Sequence, residues 1–114
     1  MLTIDKYSDN YVVSLKGTKR LNVLIAEIVK KKLLKLLNKS GKTLVFDLSG
    51  IYFIDTEGFG ILLETLYVAK KNACIFKLAN VSNEVNELIN LLELSDKFEI
   101  CQDFNDKFYG LNAA

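Results

Sequence analysis

Histidine, proline and tryptophan are all absent from this 114-residue sequence, and it has only two cysteines. Without histidine, Ser-His and Cys-His dyads, imidazole acid–base chemistry and His-ligated metal sites are excluded, which removes most hydrolase mechanisms. Without proline there are no Pro-rich connectors, and no internal repeat or low-complexity segment stands in for one. Cys74 and Cys101 lie in apolar or strand-like settings with no second ligand nearby, so they read as reduced, packed thiols, with a structural disulfide as the alternative. Excess charge of one sign is missing too: 15 basic residues face 14 acidic ones, for a formal charge of +1 and a pI near 7.7. Nucleic acid is therefore not an expected partner, because it calls for a broad positive field. No apolar run approaches the roughly 20 residues needed to cross a bilayer, so direct membrane insertion is not expected either. The opening residues MLTIDKYSDN lack the basic-then-apolar order of a signal peptide, and a cytoplasmic location follows as the expectation.

What is present suits one globular domain with a single core: 50% of residues are hydrophobic and 25% charged. Residues 11–15 (YVVSL) read as a strand, with residues 2–7 as its hairpin partner and Gly17 ending the pair. Between Asn22, a good helix cap, and Asn38, the apolar residues Ile25, Ile28, Val29, Leu33, Leu36 and Leu37 recur at helical spacing, until SGK at 40–42 breaks the run. Residues 44–48 read as a central strand buried on both faces. Phe59, Leu62, Leu63 and Leu66 trace a second helix reaching about Lys71, and residues 73–78 follow as a strand. Ser82 caps a third helix with an apolar stripe at Val85, Leu88, Ile89 and Leu92, and residues 97–101 form a last strand. This order predicts an α/β domain over residues 1–102, with helices packed on a mixed, roughly five-stranded sheet. Residues 103–114 are left as a tail in which Phe104, Phe108 and Leu111 are spaced for a short docked helix.

The basic residues Lys30, Lys31, Lys32, Lys35 and Lys39, with Lys19 and Arg20 upstream, crowd the first helix. Such a helix could meet anionic lipid, but Glu27 and the near-neutral total favour a solvated polar face. The 7 Phe and 5 Tyr are scattered without basic interleaving and read as core.

The chemistry-bearing residues concentrate at the tetrad Asp55, Thr56, Glu57 and Gly58, where an apolar run meets the second helix. A helix start offers unpaired N–H groups and the positive end of the macrodipole. Capping by Asp55 or Thr56, with Glu57 favouring the dipole, accounts for the acidic residues at about 1 kcal/mol. General acid–base catalysis has no histidine, lysine pair or ligand cluster to support it. A phosphate cradle would want glycines and a lysine, and Glu57 puts negative charge where the anion would sit.

The stretch VFDLSGIYFIDTEGFGILL, followed by YVAKKNACIFKLANVSNEVNELINLLELSDKFEI, closely resembles the STAS domain, named for sulfate transporters and anti-sigma-factor antagonists. The most specific elements are D-L-S-G after a strand, D-[ST]-x-G opening a helix, N-V at Asn80 and Val81, and a helix ending before D-x-F. The resemblance implies a non-catalytic protein-binding module with no cofactor. In the antagonists it is similar to, D-S-[ST]-G carries a Ser or Thr that an anti-sigma serine kinase phosphorylates. Asp55, Thr56 and Gly58 match that motif, while Glu57 occupies the phosphorylated position and offers no hydroxyl; Thr56 is the alternative acceptor. Glu57 carries a charge of about −1 against roughly −1.5 to −2 for a phosphoryl group, so it either mimics the phosphorylated state or marks a domain outside any kinase circuit. The small cytosolic STAS subunits of lipid-trafficking ABC transporters resemble the chain from another side: they show D-T-x-G-L and hold an ATPase subunit. A structural interaction domain is the third class. The implied contact surface is Asp55, Thr56, Glu57 and Gly58, beside loops at 17–21 and 80–83, with Asp47 orienting the turn rather than touching a partner.

Overall fold

In the computed structural model, which describes residues 1–102, β1 (Leu2–Tyr7) and β2 (Asn10–Leu15) form an antiparallel hairpin with Leu2 opposite Leu15. The remaining elements are β3 (Arg20–Leu21), α1 (Val23–Leu36), β4 (Thr43–Asp47), β5 (Phe53–Ile54), α2 (Thr56–Lys71), β6 (Ile75–Ala79), α3 (Asn83–Leu91) and β7 (Glu99–Cys101). The helix expected around Phe104, Phe108 and Leu111 falls outside the described residues. The main sheet has the order β1-β2-β4-β6-β7, mixed and five-stranded, with the continuously apolar β4 at its centre. Only β1 runs antiparallel to its neighbour; β4, β6 and β7 continue the parallel ladder that begins at β2.

Strand alternation decides which residues meet the helices. Val13, Leu15, Leu44, Phe46, Phe76 and Leu78 point to one face. There they form one cluster with Ala26, Val29 and Leu33 of α1, Phe59, Ile61, Leu62 and Ala69 of α2, and Val85 and Ile89 of α3. The opposite face carries a smaller cluster of Val12, Val45 and Ala79. Cys74 belongs to the first face, Cys101 packs against the second, and both are free thiols.

The structure corrects several expectations. Ile28 was expected on the buried stripe of α1, but it is 54% exposed, and the inward line is Ala26, Val29, Leu33 and Leu37. Leu92 leaves its stripe because α3 ends at Leu91, and Leu92, the C-cap, is turned to solvent. Ala73 and Cys74 do not begin a strand. Ala73 takes φ +55°, with Cys74 N–H donating to Ala69 O at 2.7 Å and Ala73 N–H to Lys70 O at 3.3 Å. That is a Schellman cap with alanine in the position usually held by glycine. Glu93 (φ +57°) closes α3 in the same way, with Leu94 N–H on Ile89 O at 2.9 Å. Finally, β3 and β5 form a second, parallel two-stranded sheet that periodicity did not reveal, since a pair of two-residue strands is too short to show a period.

Candidate functional site

The site begins at the end of β4. Asp47 Oδ1 accepts from Ser49 N–H at 3.0 Å and from the Ser49 hydroxyl at 2.6 Å, and Asn80 Nδ2 donates to the same oxygen at 3.1 Å. Ile51 N–H returns to Leu48 O at 3.0 Å, and Gly50 takes φ +82°, the backbone of a type II turn that needs glycine at its third position. Asp47 therefore orients the turn, and D-L-S-G spells out a side-chain-locked bend. Beyond it Ile51 is buried while Tyr52 and Phe53 are exposed.

The bend delivers β5 to the loop after β2. Tyr52 and Phe53 N–H both donate to Lys19 O, at 2.8 and 3.3 Å, and Asp55 N–H donates to Leu21 O at 3.2 Å. The Arg20 guanidinium lies 6.0 Å from the centroid of the Phe53 ring, a weak cation–π contact across β3 and β5. The loop at 17–21 is thus stitched beside the tetrad, as expected. On the Asn80 side, the bonds run to Asp47 and to Cys101 O, with Asn80 N–H on the latter at 3.0 Å.

Asp55 is the N-cap of α2, its backbone extended and its Oδ1 accepting from Gly58 N–H at 2.8 Å. Its other oxygen accepts from Val23 N–H at 3.0 Å, the first residue of α1. One carboxylate therefore joins the N-termini of two helices and places negative charge where both dipoles are positive. Val23 and Leu24 are nevertheless 60% and 82% exposed beside it. Further along, Lys30 Nζ pairs with Glu27 of its own helix at 3.2 Å and ties α1 to α2 through Glu64 at 3.3 Å, with Glu27 the larger cause of its raised pKa.

Gly58 does not offer a contact surface; it is buried, and a Cβ there would lie 2.3 Å from Leu21 O and 2.7 Å from Ile54 Cγ2. Its missing side chain lets the first turn of α2 press onto β3 and β5. Thr56 and Glu57 face solvent, and no described residue engages the Thr56 hydroxyl or the Glu57 carboxylate. The tetrad divides into two supports, Asp55 and Gly58, and two presented residues.

Beside them runs an apolar groove of about 650 Å³ between the start of α2 and the end of α3. Phe53, Phe59, Leu63, Leu88, Leu91 and Leu92 are among its lining residues, as are Asp55 and Thr56. Phe53, Leu91 and Leu92 stand 45%, 79% and 52% exposed at its rim. The sequence carried a partial signal for this groove, since Leu91 and Leu92 lie next to the third helix's inward stripe, but the pairing of α3 with β5 was not readable. Among the described residues no group of three His, Cys, Asp or Glu is placed to hold a metal ion, and no helix is long and apolar enough to cross a membrane.

A family model of the STAS domain matches residues 2–107. The chain belongs to the STAS family. This STAS domain is similar to an anti-sigma-factor antagonist (STAS) domain protein from Planctomyces limnophilus, at TM-score 0.82 and 16% identity over 98% of this chain and 97% of that one. It is similar also to an anti-sigma factor antagonist from Mycobacterium paratuberculosis, at TM-score 0.77 and 22% identity over 99% and 92% of the two chains. A sulfate transporter family protein from Wolinella succinogenes gives TM-score 0.74 and 18% identity over 93% and 88%. At these identities the likeness is one of fold. No curated protein matches the chain. Within the STAS fold, then, the pair presented at the start of α2 is Thr56 and Glu57.

Proposed function

We propose that this STAS domain is a non-catalytic protein-binding module of the anti-sigma-factor-antagonist kind, and that it does not take a phosphoryl group at position 57. One observation carries this: Asp55 fixes the start of α2 so that the exposed Thr56 and Glu57 border a groove rimmed by exposed Phe53, Leu91 and Leu92. A charged spot on a rigid helix end beside open apolar area is the make-up of a recognition surface, with burial supplying affinity and the carboxylate supplying register. The partner is an anti-sigma serine kinase-type protein, and both partners act in the cytoplasm.

The second reading is a small cytosolic STAS subunit held by the ATPase subunit of a lipid-trafficking ABC transporter. It is favoured by Thr56 standing before a residue without a hydroxyl. Affinity capture from native cells, with the wild-type chain and a Phe53→Asp, Leu91→Asp double variant as baits, separates the two. A serine kinase of the anti-sigma type held by wild type and lost from the variant supports the first; a transporter ATPase with the same pattern supports the second. Identical captures by both baits would remove this surface from either role.

Phosphorylation gives a second test. Glu57→Ser puts an acceptor hydroxyl at a helix start already suited to an anion, so an anti-sigma kinase should label the variant and leave wild type unlabelled. Label on wild-type Thr56 would show that the assignment of the lost site is wrong. Glu57→Gln separates mimicry from capping: loss of charge should weaken partner binding at low salt, and much less at high salt, where an exposed charge is already screened.

A further inference from the structure

α1 and α2 run side by side in the same direction and are joined at both ends. At their starts Val23 N–H donates to Asp55 Oδ2 at 3.0 Å, and at their ends Asn72 Nδ2 donates to Leu37 O at 2.7 Å. Both helices send their buried residues into the same cluster on the sheet, so their opposite sides make one outer face. On α1 that face is the row Leu24, Ile28, Lys31 and Lys35, spaced i, i+4, i+7, i+11, with Lys32 beside it. On α2 it is Tyr67 and Lys71, with Lys70 alongside. Leu24, Ile28 and Tyr67 are 82%, 54% and 67% exposed, and the five lysines are exposed with them.

Charge on this face does not cancel as it does over the whole chain. Glu27 and Glu64 both converge on Lys30, and those three groups together leave one net negative charge. Lys31, Lys32, Lys35, Lys70 and Lys71 form no ion pair among the described residues. The helix dipoles favour cations in the last turns, which accounts for Lys35, Lys70 and Lys71. Lys31 and Lys32 lie a turn earlier, and no dipole explains exposed leucine, isoleucine and tyrosine in the same face. We propose that this face lies flat on an anionic lipid bilayer, with the lysines against the phosphate headgroups and Leu24, Ile28 and Tyr67 set among the uppermost acyl carbons. A helix pair of this make-up rests in the plane of the interface rather than across it, in keeping with the lack of a membrane-spanning helix among the described residues. The apolar side chains decide between polyanions: a bilayer offers hydrocarbon just beneath its phosphates, whereas a nucleic-acid backbone leaves Leu24 and Ile28 in water. Tyr67, with an apolar ring and a polar tip, suits the headgroup level. None of these residues lines the groove beside Thr56, so a protein partner there and a lipid surface here occupy different faces.

The test sediments the full chain with vesicles of phosphatidylglycerol and phosphatidylcholine in equal parts. Binding is expected at low salt, is expected to weaken as salt rises, and is not expected with vesicles of phosphatidylcholine alone. The double variant Lys31→Gln, Lys35→Gln should lower the partition coefficient by about tenfold or more. Leu24→Ser, Ile28→Ser should lower it by a similar factor and leave its salt dependence unchanged. Because the chain has no tryptophan, Tyr67→Trp supplies a single emitter, whose fluorescence should shift to the blue on the anionic vesicles. No sedimentation with those vesicles, wild-type binding by either double variant, or unshifted emission from a sedimented Tyr67→Trp protein would each overturn the proposal. So would binding to duplex DNA in place of vesicles, which would assign the lysines to nucleic acid.

Discussion

Gly58→Ala sets two well-measured effects against each other. Alanine is the better helix former by about 1 kcal/mol, so propensity alone predicts that the variant is more stable. The structure predicts the reverse. The added carbon would lie 2.3 Å from Leu21 O, whereas carbon and oxygen need about 3.3 Å, so something must move by about 1 Å. Leu21 cannot give easily: it pairs with Ile54 in the small sheet, and its carbonyl already accepts the Asp55 N–H at 3.2 Å. Displacing α2 instead pulls Gly58 N–H from Asp55 Oδ1, now at 2.8 Å, and loosens the cap. Overpacking at about 2–3 kcal/mol and a weakened cap at about 1, less the propensity gain of about 1, leave a net loss of about 2–3 kcal/mol. Urea denaturation should show a midpoint lower by about 1 M with an unchanged slope. Gly60→Ala is the control, since nothing lies within 4 Å of its Cβ, and it should gain about 0.5–1 kcal/mol. If Gly58→Ala proved as stable as Gly60→Ala, the close approach of α2 to β3 would be refuted.

Asp55→Ala removes the acceptor for two helix N-termini and should cost about 1–3 kcal/mol, more than a single cap; a loss under about 0.5 in the same titration would mean that water replaces it on both sides. Leu62→Ala, at a fully buried position of α2, should cost about 2–5 kcal/mol, and Leu66→Ala, only half-buried, clearly less; the reverse order would show that α2 is rotated. Ala73→Gly and Glu93→Gly relieve left-handed residues at the two Schellman caps and should each stabilise by about 0.5–1 kcal/mol, read from thermal unfolding. The pH dependence has two ends. Lys42 holds the Asp9 carboxyl below the usual carboxylate range, so that pair contributes above about pH 4 and is lost as pH falls through the lowered value. Glu27 and Glu64 raise Lys30, so its contribution is present below about pH 10 and lost as pH rises through the raised value; Lys30→Gln should flatten the alkaline limb of a melting profile.

Legibility followed the range of the signal. β4, α2 and the cap residues Asn22 and Ser82 were readable, with Asp55 one of two candidates for the α2 cap, because a continuous apolar run, a helical period and a polar capping side chain are each local. Ile28 and Leu92 were misplaced because helical spacing finds a stripe but not its exact phase or end, and α3 stops on an unmarked Glu93 where a glycine would have announced the stop. β3 and β5 were invisible because two-residue strands owe their existence to pairing with each other across the chain. At the site, the helix start and the exposed Thr56 and Glu57 could be located from sequence. The second role of Asp55, accepting from Val23, could not, since 32 residues separate the two. Nor could the inward placement of Gly58, which the sequence analysis put on the contact surface and which turns inward because a Cβ there would meet Leu21 O.

The two rims of the main sheet differ in what they offer an incoming extended peptide. At one rim, β7 has only three residues, so a strand added there would find too short a ladder for much affinity. At the other, β1 offers six residues but carries Asp5 and Lys6, and charges on an edge strand discourage both peptide capture and edge-to-edge polymerisation. Recognition by main-chain pairing is thereby held down at both ends of the sheet. Selectivity falls to side chains on helix ends, where exchanging one residue can change the partner without disturbing the ladder beneath it.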